Sequence, residues 1–130
     1  MPQHLRILIA EDNRINQILT KTFLQRLGHT VEVATTGLEA VMAVTTNYYD
    51  VILMDIQMPE MDGVEATRLI RLLPSNRSIT PIIAVPADVI DEHCVNYLQA
   101  GINLVTAKPI NWNNLLSMIA KLTTTLYLLP

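Results

Sequence analysis

The 130-residue chain contains one cysteine, Cys94, so it cannot form an internal disulfide and its fold must rest on packing alone. Aromatic side chains are scarce at 5%, with a single Phe23 and a single Trp112, although half of the residues are hydrophobic. The core must therefore be built from Val, Ile, Leu, Met and Ala, a mix that suits a parallel sheet covered on both faces. An excess of one charge is also lacking: 9 basic residues against 12 acidic ones give a net charge of −3 with no long run of either sign. Direct binding of nucleic acid is not expected from such a balance. The apolar stretch Leu5 to Ala10 is too short for a signal peptide and is stopped by Glu11 and Asp12. No run approaches the ~20 residues that span a bilayer, so no membrane contact by this domain and a cytoplasmic location are expected. The length suits one domain with one core.

Apolar runs of strand length alternate with amphipathic stretches of helix length, the pattern of repeated βα units. Strands are predicted at Arg6 to Ala10, Thr30 to Ala34, Val51 to Asp55, Pro81 to Val85 and Ile102 to Ala107. Asp12 or Asn13 can cap a first helix that ends at Gly28. Further helices are predicted from Leu38 to Thr46, Val64 to Leu73, Asp88 to Ala100, and from an Asn111 cap to at least Leu122. Pro74 ends the third and Gly101 the fourth. Cys94 falls within the fourth helix and reads as a small buried hydrophobe. Right-handed crossovers turn such units into an α/β, doubly wound, five-stranded parallel sheet.

In sheets of this kind the functional crevice lies beyond the carboxyl ends of the strands. Glu11 and Asp12 follow the first strand, Asp55 ends the third, Pro86 follows the fourth and Lys108 the fifth. Three carboxylates in one crevice repel each other unless a cation or proton arrives. Mg²⁺ suits them, because it takes oxygen ligands and keeps several waters, while Lys108 offers a point charge to an anion. Taken alone, Glu11 with Asp12 has a plainer second reading as an acidic helix start. Asp55 resists so plain an explanation, since a carboxylate closing an apolar strand is costly to bury.

The stretch YDVILMDIQMPEMDGVEATRLIR resembles the phosphorylation-site segment of response-regulator receiver domains. EDNRINQ and LGHTVEVATTGLEA are similar to the receivers of hybrid sensor histidine kinases. Spacing agrees, with 43 positions from Asp12 to Asp55 and 53 from Asp55 to Lys108. The resemblance implies a flavodoxin-like, CheY-like sheet in the order 2-1-3-4-5, with a receiver over 1–122 and a tail or linker start over 123–130. It implies that Asp55 accepts the phosphoryl group in a two-component phosphorelay. Glu11, Asp12, Asp55 and the Gln57 backbone carbonyl would hold Mg²⁺, Lys108 would pair with the phosphoryl group, and the N–H groups of Ile56 and Ala87 would complete an anion cradle. A cis Lys108–Pro109 bond is implied too. The implied partner is a histidine kinase or histidine phosphotransfer domain docking around Asn13, Asn16, Gln17, Pro109 and Ile110. A homodimer through the face of the fourth helix, fifth strand and fifth helix is a further expectation.

Two positions depart from the family pattern. Pro86 stands where a Ser or Thr hydroxyl is usual, and Val105 stands where an aromatic ring is usual, so both moving parts of the customary switch are missing. An alternative is thereby raised, a pseudo-receiver that binds a partner without being phosphorylated. A Mg²⁺-dependent phosphohydrolase is weaker, for want of a second catalytic acid beside Asp55.

Overall fold

Alternation along the strands decides the layering, because successive side chains of a strand point to opposite faces. The computed structural model describes residues 4–87 and 91–128, with side-chain surroundings given outside 91–94 and 124–128. Its strands are β1 (Arg6–Ala10), β2 (Thr30–Ala34), β3 (Val51–Asp55), β4 (Ile82–Val85) and β5 (Leu104–Val105). Between and after them lie α1 (Arg14–Arg26), α2 (Gly37–Thr46), α3 (Gly63–Arg71), α4 (Asp91–Ala100) and α5 (Trp112–Leu128). All strand pairs are parallel, in the order β2-β1-β3-β4-β5.

Leu8, Ala10, Ile52, Met54, Ile82 and Ala84 face one side and pack with Ala40 and Val44 of α2, Ala66 and Ile70 of α3, and Tyr97 of α4. Ile7, Ile9, Val51, Leu53 and Ile83 face the other, against Leu24 of α1 and Leu115 and Ile119 of α5. Three helices thus cover one face and two the other. Each fully buried aliphatic side chain of this set contributes about 1.5–3 kcal/mol relative to exposure.

Helix starts follow local chemistry. The side chains of Asn13, Thr36, Asp62 and Asn111 accept from the N–H of the residue three positions on, at 2.8–3.1 Å. Gly28 and Gly101 follow their helices with φ of +95° and +109°, the left-handed stops expected of them.

Some boundaries differ from expectation. β5 is confined to two residues, yet Asn103, Thr106 and Lys108 still donate to Ile82, Ala84 and Pro86 carbonyls at 2.9–3.0 Å. An edge strand with one neighbour keeps these bonds without a longer ladder. Pro81, which has no N–H, lies outside β4. A 3₁₀ turn at Asn76–Ile79, not expected, joins α3 to β4, and α5 continues past Leu122 to Leu128. The expected start of the fourth helix at Asp88 and the side chain of Cys94 lie outside the described residues, as does part of the face named for a homodimer. No helix among the described residues is long and apolar enough to cross a membrane.

Candidate functional site

β1 and β3 are neighbours at the point where the chain, having gone to β2 on one side, crosses to the other, so their carboxyl ends open a crevice. Glu11 leaves β1 still buried, its N–H donating to the Ala34 carbonyl at 2.9 Å. Asp12, one step on, is exposed. Asp55 closes β3 and is only 5% exposed. Glu11, Asp12 and Asp55 each present a carboxylate oxygen, and the three oxygens lie within 4.8 Å of one another.

The loop after Asp55 is held by close backbone approach. A Cβ on Gly63 would collide with the Asp55 carbonyl oxygen and lie 2.9 Å from Met54 Cγ, and one on Gly37 would collide with the Met61 carbonyl oxygen. Only glycine lets α2 and α3 start this near the site. The Gly63 N–H donates to the Ile56 carbonyl at 2.8 Å, and Glu60 takes a φ of +69° within the loop. Gln57, exposed, follows the buried Ile56.

Lys108 arrives from beyond β5, after which the Lys108–Pro109 bond is cis as the resemblance implied. Its Nζ lies 3.0 Å from Glu11 Oε1 and 3.3 Å from Asp55 Oδ1. The other Glu11 oxygen accepts from the Asn13 N–H at 3.1 Å. Burial, then repulsion from Glu11, pushes the Asp55 carboxyl up to about 7 against the pull of Lys108. Burial would raise Glu11 as well, but the Asn13 N–H and Lys108 outweigh it and hold that carboxyl below its ordinary value. Lys108 is disfavoured by burial yet held above its usual value by its two carboxylate neighbours.

Among the described residues one ammonium therefore meets two of the three clustered carboxylates, and the pocket is short of positive charge. An all-oxygen donor set of this size fits Mg²⁺, whose ligands sit about 2.1 Å away and up to about 4.2 Å from each other.

Pro86 is buried at the end of β4 and its carbonyl accepts from the Lys108 N–H at 3.0 Å, while Ala87 beside it is exposed. Val105 packs against the same apolar cluster as Tyr97. Among the sequence-named docking positions, Asn13 and Pro109 are exposed, whereas Asn16, Gln17 and Ile110 are half-buried. The Gln17 side chain is engaged inward, its amide donating to the Glu11 carbonyl at 2.5 Å. That bond was missed from the sequence, although a side chain one turn into the helix lies within reach of the loop before it. Ile15, Ile18 and Leu19 are more than half exposed on α1. Beside them a cleft of about 250 Å³ joins Glu11 and Lys108 to Asn16, Leu19 and Trp112. A second cleft, of about 530 Å³, continues along Ile18, Phe23, Leu27 and the same Trp112.

Solved structures and curated sequences are similar to this chain. The receiver domain of the sensor histidine kinase PA1611 from Pseudomonas aeruginosa PAO1, a crystal structure with a magnesium ion coordinated in its active site cleft, aligns with a TM-score of 0.86 at 36% identity, covering 94% of this chain and 99% of that one. The aerobic respiration control sensor protein ArcB of Escherichia coli K12 is 34% identical over 117 residues, and histidine kinase 5 of Arabidopsis thaliana is 33% identical over 137. These matches cover 90% and 85% of this chain but only 15% of either relative, so the chain spans a small part of their length. The family model described as the response regulator receiver domain matches residues 7–120, so the chain belongs to that family.

Proposed function

We propose that this receiver takes a phosphoryl group from a phosphohistidine onto Asp55, as one step of a phosphorelay in the cytoplasm. The observation that carries the reading is the buried Asp55 carboxylate set between Glu11 and Lys108 at the end of an apolar strand. In the transfer the P–N bond to the donor imidazole breaks and a P–O bond to an Asp55 oxygen forms; attack by water later breaks that bond and restores the carboxylate. Asp55 supplies the nucleophilic oxygen. Glu11, Asp12 and Asp55, with the Gln57 carbonyl, would hold Mg²⁺, which when bound would offset the charge of the phosphoryl oxygens. Lys108, released in part from its two carboxylates, turns its ammonium toward a phosphoryl oxygen, and the N–H groups of Ile56 and Ala87 donate to others. The exposed Ile15, Ile18 and Leu19, next to the cleft that reaches Lys108, suit a helix of the donor protein, a histidine kinase or histidine phosphotransfer domain.

The pseudo-receiver alternative has no comparable support, since all of the acidic positions and the lysine are in place. Intact mass after incubation with Mg²⁺ and acetyl phosphate tests the reading. The expected result is a labile gain of one phosphoryl that Asp55→Asn abolishes. No gain would favour the pseudo-receiver, and steady turnover of acetyl phosphate far beyond one equivalent would favour a phosphohydrolase.

A further inference from the structure

The three carboxylates are not equally anchored. Asp55 closes a buried strand and meets Lys108. The Glu11 carboxylate is held between Lys108 and the Asn13 N–H. Asp12 is exposed, and among the described residues its carboxylate has no hydrogen bond or ion pair. Its direction is therefore set through its backbone, which means through the peptide plane joining Glu11 to Asp12. The peptide before it, Ala10–Glu11, is fixed by the Glu11 N–H on the Ala34 carbonyl. The oxygen of the Glu11–Asp12 plane is held by the Gln17 side-chain amide, from a helix whose first turn is closed by the Gln17 N–H on the Asn13 carbonyl at 3.0 Å.

We propose that Gln17 is a positioning residue of the divalent-cation site, fixing the Glu11–Asp12 peptide so that the untethered Asp12 carboxylate stays aimed at the ion. The inference rests on the cation reading given above. It assigns Gln17 to the interior of the site rather than to a docking surface, and it separates Gln17 from its exposed neighbours Ile15 and Ile18. Groups that orient metal ligands without touching the metal typically alter affinity 10- to 100-fold when removed.

Two substitutions divide positioning from simple charge. Gln17→Met keeps the length of the arm and removes the donor. Gln17→Glu keeps the shape, but turns an acceptor toward the Glu11 carbonyl oxygen and adds a negative charge. A pocket that only gathers charge would bind Mg²⁺ more tightly with Glu at this position, whereas a positioned pocket binds it less tightly.

The experiment titrates Mg²⁺ into the full chain and into each variant, reading the amide shifts of Asp12 and Ile56 in the folded protein. Gln25→Met serves as an exposed control on α1. Both Gln17 variants are expected to weaken Mg²⁺ by about 10-fold or more, with Gln25→Met unchanged. Because the shifts come from folded molecules, a lower melting temperature in a variant does not enter the comparison. Gln17→Met binding as tightly as the unaltered chain, or Gln17→Glu binding more tightly, overturns the proposal. An unaltered chain that shows no Mg²⁺-dependent shift at millimolar concentration sinks the cation reading, and the proposal with it.

Discussion

The fold buries the Asp55 carboxyl at a cost. The group, pushed up to about 7 chiefly by burial, binds a proton more tightly folded than unfolded, where its ordinary value is 3.8. The associated stability is fully present below the unfolded value and is lost as pH rises through about 7. His29 runs the opposite way. Its Nδ1 accepts from the Leu5 N–H at 3.1 Å, and burial keeps it below its usual 6.5, so its contribution is present above 6.5 and lost on acidification. The two windows overlap, and only a difference between variants separates them. In metal-free solution Asp55→Asn should raise the melting temperature at pH 8 by about 5 °C or more, with the gain fading toward pH 4. Thermal unfolding of both proteins across that range checks it, and a gain that does not change with pH would show that Asp55 is not held protonated by the fold.

Among the elements, the junction of α3, the 3₁₀ turn and the end of α4 depends on one cation. The Arg71 guanidinium donates to the Gly101 carbonyl from Nε at 3.0 Å and Nη2 at 2.7 Å, to the Ser78 and Thr80 carbonyls from Nη1 at 2.8 and 2.7 Å, and to Asn103 Oδ1 at 3.0 Å. None of these acceptors is a carboxylate, and burial holds the guanidinium below its ordinary value. Gly101 leaves room for the arm, since a Cβ there would lie 2.7 Å from Arg71 Cγ. Each bond to a charged group contributes roughly 1.5–3 kcal/mol, and they are not additive, so Arg71→Met should cost at least about 2 kcal/mol in urea unfolding. Arg71→Lys should recover little, because an ammonium cannot reproduce the planar fork. Stability within about 0.5 kcal/mol of the unaltered chain would contradict this account, being the range of ordinary surface substitutions.

Neither this clasp nor the approach of Gly63 to Asp55 was legible in the sequence, for they join residues through backbone positions that only the folded chain brings together. The strands, the caps at Asn13 and Asn111, and the stops at Gly28 and Gly101 were legible, because each is written in a few adjacent residues. Glu11, Asp12, Asp55 and Lys108 stood out for a related reason: a charged side chain at the end of an apolar run contradicts its surroundings. Gln17 contradicts nothing on a helix, and so its inward bond gave no signal. The two-residue length of β5 was equally hidden, since Ile102 to Ala107 reads as strand throughout until its single neighbour is known.

At the scale of the whole molecule, the question is how far a change at Asp55 travels. A ligand shifts a conformational equilibrium only by favouring one state over another. Pro86 has no hydroxyl to draw inward and fixes its own backbone angle, and Val105 is already packed into the core cluster. Beryllofluoride with Mg²⁺ should therefore perturb the amides of Asp55, Ile56 and Ala87 strongly, and those from Val95 to Val105 only weakly. Pro86→Thr combined with Val105→Tyr should enlarge the distant response. Large shifts through α4 in the unaltered protein would mean that the missing hydroxyl and ring are not needed for signalling.

The stacking of Phe23 on Trp112, with centroids 4.5 Å apart and planes at 29°, bears on observation as much as on packing. Trp112 is the only tryptophan, so nearly all long-wavelength ultraviolet emission leaves from one indole at the start of α5. That indole lines both clefts, the one that reaches Lys108 and the one that runs along α1. A protein seated on α1 would strip water from it and move its emission to the blue. The indole would thus time the arrival of a partner on α1 without an attached dye.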